Sequence, residues 1–231
     1  MPTNVALLAG LVPVLATVAA YLLNLKAGGR LGPEFTCSPF FEGCVSISRA
    51  VRSGPGLHLF RAVMLPCAAC LFLSWWFVRA WLTGSGACSG RRAGVIFACG
   101  AVGAVFLVFY ATWLGTEGEW YRWLRRYGVT FYFAGTAFAQ LLLVWVLWPQ
   151  RRRLAGGRLR PAIVLLTALV SAQWALGVLS SLKRLLLDDP DLIDRIENII
   201  EWWYALPMAL AFLVIARMFQ RSGFHIRCHF D

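Results

Sequence analysis

The sequence predicts an all-α membrane protein, a single bundle of six transmembrane helices with a structured first loop. Hydrophobic residues make up 59% of the 231 residues and charged residues only 14%, which leaves too little polar surface for a soluble protein of this size. Six apolar segments also come close to the roughly 20 residues that a helix needs to cross a bilayer. These segments lie at about 4–25, 59–82, 93–114, 128–148, 161–182 and 199–219.

The same segments are expected to form one domain covering 1–231, because no linker, low-complexity tract or internal repeat divides the chain. Helices are expected because every backbone donor and acceptor must be satisfied within the span. The first segment is expected to stay as a span, since no basic residue precedes it and no clear cleavage site closes it. Small residues in 93–105 predict that the third helix approaches a neighbour closely.

Charge placement gives the expected orientation in the membrane. The net charge is +11, and the short loop at 151–160 is rich in arginine and has no acidic residue. Short basic loops favour the cytoplasmic side, so both termini are predicted to be cytoplasmic and the first loop extracytoplasmic. Eight tryptophans near the predicted span ends are expected to lie at headgroup level. They are Trp75, Trp76, Trp120, Trp123, Trp145, Trp148, Trp202 and Trp203.

Two cysteines stand close together in the first loop, at Cys37 and Cys44. An oxidising compartment would let them form a disulfide, and the alternative is two free thiols. Cys67 and Cys70 differ, because they lie inside an apolar helix with no basic group nearby to activate a thiol. Packing is therefore expected for this second pair.

Glu201 is the most distinctive single residue, because it lies among apolar residues near the start of the sixth span. A carboxylate at membrane depth needs a partner or a purpose, and Arg61 near the start of the second span is the expected counter-ion. Two other interpretations stay open. Glu201 would otherwise complement the dipole at a helix N-terminus, and Arg61 would otherwise extend to lipid phosphates.

Three loops on the same side, at 26–58, 115–128 and 183–203, are expected to roof one cavity. The second is predicted to form a short interfacial helix, and Pro190 is expected to start a helix in the third. Candidate catalytic residues on this side are Ser46, Ser48, His58, Glu117, Glu119 and Glu201. Classical enzyme motifs are absent, so the sequence leaves open whether the protein is an enzyme.

No cofactor or metal is predicted. His225, Cys228 and His229 group in the C-terminal tail, but they stand at a chain end without further ligands.

Three stretches carry a family resemblance: CVSISRAVRSGPGLHLFR at 44–61, the aromatic and small residues around Gly128, and IIEW at 199–202. With these the chain resembles the family that includes the damage-regulated autophagy modulators and the Golgi-type factor of GPI-anchor lipid remodelling. The chain departs from that family at Cys44, where relatives often have proline, and at Arg125, where relatives tend to have histidine. The resemblance implies lipid handling in general rather than one defined reaction.

The expected function is binding of a lipid headgroup in a cavity of the outer leaflet, with possible assistance to lipid remodelling. Arg61, with Arg49 or Arg125, is predicted to bind phosphate, and Glu201 to orient a basic residue or accept a hydroxyl proton. The expected partners are membrane lipids, with no nucleic acid. The alternative is a noncatalytic scaffold that regulates a partner membrane protein. A channel or transporter ranks third, since no broken helix pair marks a midplane site.

Overall fold

The fold is all-helical, as the sequence predicts. The computed structural model describes residues 1–27 and 37–225; part of the first loop, with Cys228 and His229, lies outside the described residues. Seven α-helices form within them, six of which are long and apolar enough to cross a membrane. The helices are α1 (Pro2–Lys26), α2 (Ile47–Ala50), α3 (Gly54–Gly84), α4 (Gly90–Trp113), α5 (Glu119–Leu147), α6 (Arg160–Leu186) and α7 (Pro190–Ser222). A short 3-10 turn at Leu154–Gly157 lies between α5 and α6.

The long helices pack mainly against their neighbours along the chain, and α1 joins the two halves. Helix α1 packs on α3 and α7, while α4 packs on both α3 and α5. Helix α6 packs on α7 and meets α5 only sparsely. The bundle is therefore least closed between α5 and α6.

All six long helices are longer than the predicted spans, and α5 and α7 exceed them by the most. Helix α5 begins at Glu119, so the predicted interfacial helix at 115–128 is instead the first turns of a transmembrane helix. Gly128 lies inside α5 and does not interrupt it. Its missing side chain lets α5 approach α4, because a Cβ at this position would lie 2.8 Å from the backbone nitrogen of Tyr110. Helix α7 begins at Pro190, as predicted, where the Asp189 carboxylate accepts a hydrogen bond from the backbone N–H of Asp191 at 3.0 Å.

Glycines let α4 lie close to both of its neighbours, which confirms the close approach predicted for the third span. A Cβ on Gly103 would stand 2.7 Å from the Thr136 hydroxyl on α5. On the α3 side, the ring of Trp75 occupies the space that a Gly100 side chain would need. The small residues of α4 are thus used for packing within the chain.

Trp75 and Trp202 contradict the prediction that all eight tryptophans lie at headgroup level. Trp75 is fully buried and its ring packs edge to face on Phe212 of α7. The missing side chain at Gly100 makes room for the indole inside the bundle. Trp202 is also buried. The other tryptophans of that set are exposed, as Trp145 and Trp120 illustrate.

We predict that Gly100→Ala lowers the thermal unfolding midpoint of the detergent-solubilised protein. The added methyl group would overlap the Trp75 ring, and overpacking of this kind typically costs about 1–3 kcal/mol. Gly94→Ala in the same helix is the matched control, because nothing lies within 4 Å of its Cβ position. Equal midpoints for the two variants would contradict the contact.

Candidate functional site

The end of the bundle that carries residues 37–50 and the first turns of α5 and α7 is called here the loop face. Residues 37–50 form a cover segment, and the predicted disulfide between Cys37 and Cys44 closes its first part with a Cα separation of 6.2 Å. Gly43 lies inside that loop with φ +65°, and its Cα faces the Arg195 carbonyl so closely that no side chain would fit. The disulfide loop therefore lies directly on α7.

Side chains of α7 bind the carbonyl groups of the cover segment. Asn198 Nδ2 donates to the Gly43 carbonyl at 2.8 Å, and Trp202 Nε1 donates to the Val45 carbonyl at 2.9 Å. Both donors are buried. Trp203 Nε1, which is more exposed, donates to the Phe40 carbonyl at 2.9 Å. This hydrogen bonding explains why Trp202 lies inside the bundle.

The other end of the cover segment is bound to α1. Asn24 is buried, and its Nδ2 donates to the Ala50 carbonyl at 2.9 Å while its Oδ1 accepts from the Gly56 N–H at 2.8 Å. Sequence analysis did not single out Asn24. The sequence feature that could have identified it is a single amide side chain near the end of the first apolar segment.

Ser46 has a structural role that its contacts define. It is the N-cap of α2, where its hydroxyl accepts from the Arg49 N–H at 3.2 Å and lies 3.4 Å from the Ser48 hydroxyl. Ser46 is 8% exposed. Its hydroxyl is therefore a helix cap, and Ser48 is the more accessible of the two candidate serines.

Glu201 lies about three turns inside α7, so it does not complement the dipole at that helix's N-terminus. Its carboxylate faces the backbone N–H groups of Ser48 and Ile47, with the Arg49 and Arg52 guanidinium groups nearby. Within the described residues it forms no ion pair at 4 Å or less. The backbone N–H groups of α2 thus provide part of the hydrogen bonding that this half-buried carboxylate requires.

Arg61 does not pair with Glu201, and the ion pair expected from the sequence is wrong. The Arg61 guanidinium donates to the Leu114 carbonyl and, at 3.1 Å, to the Thr116 hydroxyl. Carbonyl groups at the end of a helix lack an intrahelical donor, and α4 ends just before Leu114. Arg61 supplies that donor and ties α3 to the chain after α4.

The basic groups nearest Glu201 are instead Arg49 and Arg52. Arg49 binds both carboxylate oxygens of Asp194, at 2.6 and 2.7 Å, on an exposed part of the surface. Arg52 is half-buried, and burial, with the nearby charges of Arg125 and Arg49, lowers the pKa of its guanidinium. Its Nε has no hydrogen-bond partner.

Arg52, Arg125, Tyr110 and Glu201 are called the inner polar group, because Arg52 lies within electrostatic range of the other three. Tyr110 is 2% exposed and its hydroxyl is without a partner. The sequence marks Tyr110 only as one of several polar residues within the spans, and Arg52 was not predicted as a site residue. Arg52 follows Arg49 by three residues in a basic stretch, whereas a tyrosine within an apolar helix carries no distinguishing signal.

A cleft of about 350 Å³ opens where α5 and α6 separate, with α7 between them. Two carboxylates, those of Glu197 and Glu201, lie in its wall together with serine, threonine and tyrosine hydroxyls. Apolar side chains complete the wall, and the side chains described in the lining include no arginine. The lining residues are Ser48, Val129, Thr130, Phe133, Gly177, Ser180, Glu197, Ile200, Glu201 and Tyr204.

Glu197 is held by polar groups of α6. Lys183 forms an ion pair with its carboxylate, and the Ser180 hydroxyl lies 3.3 Å from both carboxylate oxygens. Lys183 Nζ also donates to the Ser180 carbonyl at 2.8 Å. Lys183 is buried, so this ion pair compensates a charge that would otherwise be costly there.

The predicted catalytic set is only partly brought together. Ser48 and Glu201 line the cleft, and Ser46 lies beside Ser48. His58, Glu117 and Glu119 are exposed and do not line the cleft. Within the described residues, no three histidine, cysteine or acidic side chains group as metal ligands.

The chain is thus a helical membrane protein with an amphipathic cleft at its loop face. No family model, curated protein or solved structure matches it.

We predict that Asn198→Ala loosens the cover segment far more than Asp194→Asn does. The first change leaves the Gly43 carbonyl without its donor, which typically costs about 1–3 kcal/mol. The second weakens an ion pair whose side chains are 43% and 52% exposed, and such pairs contribute about 0–1 kcal/mol. Thermal unfolding and limited proteolysis of residues 37–50 measure the difference. Equal losses would show that the exposed ion pair holds the cover.

Proposed function

We propose that the protein handles membrane lipids by binding a phospholipid headgroup in the cleft between α5, α6 and α7. The observation that carries this proposal is the two-sided chemistry of that cleft. Glu201, Glu197 and several hydroxyls form one part of the wall, while Val129, Phe133 and Ile200 form another. A polar headgroup with an attached acyl chain matches both parts, whereas a purely polar or purely apolar ligand matches one.

The phosphate is assigned to Arg125 and Arg52. Arg125 lies one turn nearer the loop face than Val129 on the same face of α5, which places it at the rim of the cleft. Arg52 belongs to the same inner polar group and has an unpartnered Nε. Arginine binds phosphate through charge-assisted hydrogen bonds. Arg61 and Arg49 are less suited, because the Leu114 carbonyl and Asp194 already engage them.

The proposed lipid role agrees with the family resemblance noted above, which itself remains a proposal. A remodelling reaction would use the pair of polar groups in the cleft, Ser48 and Glu201, with Glu201 as the proton acceptor. In the proposed orientation the loop face and its disulfide lie outside the cytoplasm, opposite the arginine-rich loop at 151–160.

The alternative, a noncatalytic scaffold for a partner membrane protein, is less favoured because one surface expected to contact the partner is used within the chain. Its expected contact surface was the small-residue stripe of α4, but Gly100 and Gly103 pack on Trp75 and Thr136 of this chain. Cross-linking decides between the two functions. A stoichiometric protein partner, with Glu201→Gln and Ser48→Ala variants that stay functional, would favour the scaffold.

We predict that Arg125→Gln weakens phospholipid binding by about 10- to 100-fold, since hydrogen bonds to charged groups contribute about 1.5–3 kcal/mol. Native mass spectrometry of the detergent-solubilised protein, titrated with dioleoyl phospholipids, measures the bound fraction. Arg126→Gln is the matched control, because Arg126 neighbours Arg125 on α5 but is exposed. Unchanged binding in Arg125→Gln, or equal loss in both variants, would contradict the assignment of phosphate to Arg125.

A further inference from the structure

We infer that the headgroup bound in this cleft carries a primary ammonium group beside its phosphate, as in an ethanolamine phospholipid. This inference rests on the proposed function and specifies its ligand. Among the described side chains the cleft lining contains two carboxylates and no arginine, while Arg52 and Arg125 lie within electrostatic range of one another beside it. The site thus has an anionic part and a cationic part, the complement of a zwitterionic headgroup.

Glu201 is the main acceptor for the ammonium. It lines the cleft, is only half-buried, and forms no ion pair within the described residues. The N–H groups of Ile47 and Ser48 lie against its carboxylate. A carboxylate accepts about four hydrogen bonds, so two backbone amides leave acceptor capacity toward the cleft.

Further acceptors lie on the two walls beside Glu201. The Thr130 hydroxyl of α5 donates to the Arg126 carbonyl at 2.9 Å, which leaves its oxygen lone pairs to accept. On the opposite wall the Glu197 carboxylate is fixed by Lys183 and Ser180. Its ion pair compensates its charge, so Glu197 adds an acceptor while Glu201 supplies the negative charge.

The arrangement discriminates among headgroups by their hydrogen-bond donors. A primary ammonium offers three N–H donors and one positive charge, which match the carboxylates and hydroxyls of the lining. A quaternary ammonium keeps the charge but has no N–H donor. A glycerol headgroup keeps donors but leaves Glu201 without a compensating charge.

The cationic part is placed to bind the phosphate of the same headgroup. Glu201 and Tyr110 both lie within electrostatic range of Arg52, and Tyr110 and Arg52 within that of Arg125. Arg125, one turn from Val129 on the same face of α5, is the arginine of this group nearest the cleft lining. A phosphate bound by Arg125 at the rim would leave the ammonium, two carbons away, to meet Glu201.

The first test uses the unaltered protein and a series of lipids with the same dioleoyl chains. Native mass spectrometry measures binding of phosphatidylethanolamine, its N-methyl and N,N-dimethyl forms, phosphatidylcholine and phosphatidylglycerol. We expect affinity to fall stepwise along the methylation series, by about tenfold or more overall, and phosphatidylglycerol to bind less well than phosphatidylethanolamine.

Equal affinity for phosphatidylethanolamine, phosphatidylcholine and phosphatidylglycerol overturns the inference but leaves the proposed function intact, provided that Arg125→Gln weakens all three. No binding of any phospholipid overturns both. The two proposals therefore fail in distinguishable ways.

The second test removes the charge of Glu201. We expect Glu201→Gln to abolish the preference for phosphatidylethanolamine over phosphatidylglycerol while phospholipid binding as such persists. Glu117→Gln is the matched control, because Glu117 is an exposed carboxylate that does not line the cleft. A retained preference in Glu201→Gln overturns the inference. If Glu201→Gln does not fold, the methylation series on the native chain decides.

Discussion

The hydrogen bonds from α7 to the backbone of the cover segment are the interaction on which the loop face depends. A nonhelical segment packed on a membrane bundle must have its buried carbonyl groups satisfied, because apolar side chains and lipid hydrocarbon supply no donor. Asn198 and Trp202 provide donors to Gly43 and Val45 from within the bundle. Asn24 does the same for Ala50 from α1. Without these three side chains α2 would have no defined position, and its amides would not meet Glu201.

The position of α2 in turn determines the electrostatics of Glu201. A carboxylate at this depth in a transmembrane helix is costly, and no single counter-ion offsets the cost. Backbone N–H groups of Ile47 and Ser48 meet it on one side, and arginines of the inner polar group lie behind. Amides stabilise the carboxylate without neutralising it by a direct ion pair. Glu201 therefore presents acceptor oxygens to the cleft with no ion pair within the described residues.

Sequence reasoning anticipated the architecture more fully than the site. The six spans followed from hydropathy, because the bilayer demands long apolar helices, and the Cys37–Cys44 disulfide followed from spacing within one loop. Periodicity alone did not show that Gly128 continues α5 or that Trp75 lies beside Gly100. Those features depend on which helix packs against the residue, and the residue type alone does not identify that neighbouring helix.

At the site, too, features of single residues were predictable from the sequence, whereas contacts between residues distant in the sequence were not. Glu201 was recognised because a carboxylate among apolar residues is unusual, while Ser48 was named only as one of several loop candidates; both line the cleft. Arg61 was paired with the wrong group, since a guanidinium near the membrane surface meets a helix-end carbonyl as readily as a carboxylate. Tyr110 was not predicted as a site residue because its significance comes from an absent partner, which only the packed structure reveals.

The location of the cleft follows from the packing of the neighbouring helices. Gly103, Gly128 and Gly135 bring the backbones of α4 and α5 into close contact over about two to three helical turns. Helix α6 is bound instead to α7, through the ion pair of Lys183 with Glu197. Because α5 stays packed on α4 while α6 stays packed on α7, α5 and α6 separate from each other. Their separation exposes the face of α7 that carries Glu201. The glycines of α4 and α5 are therefore as necessary to the cleft as the residues that line it.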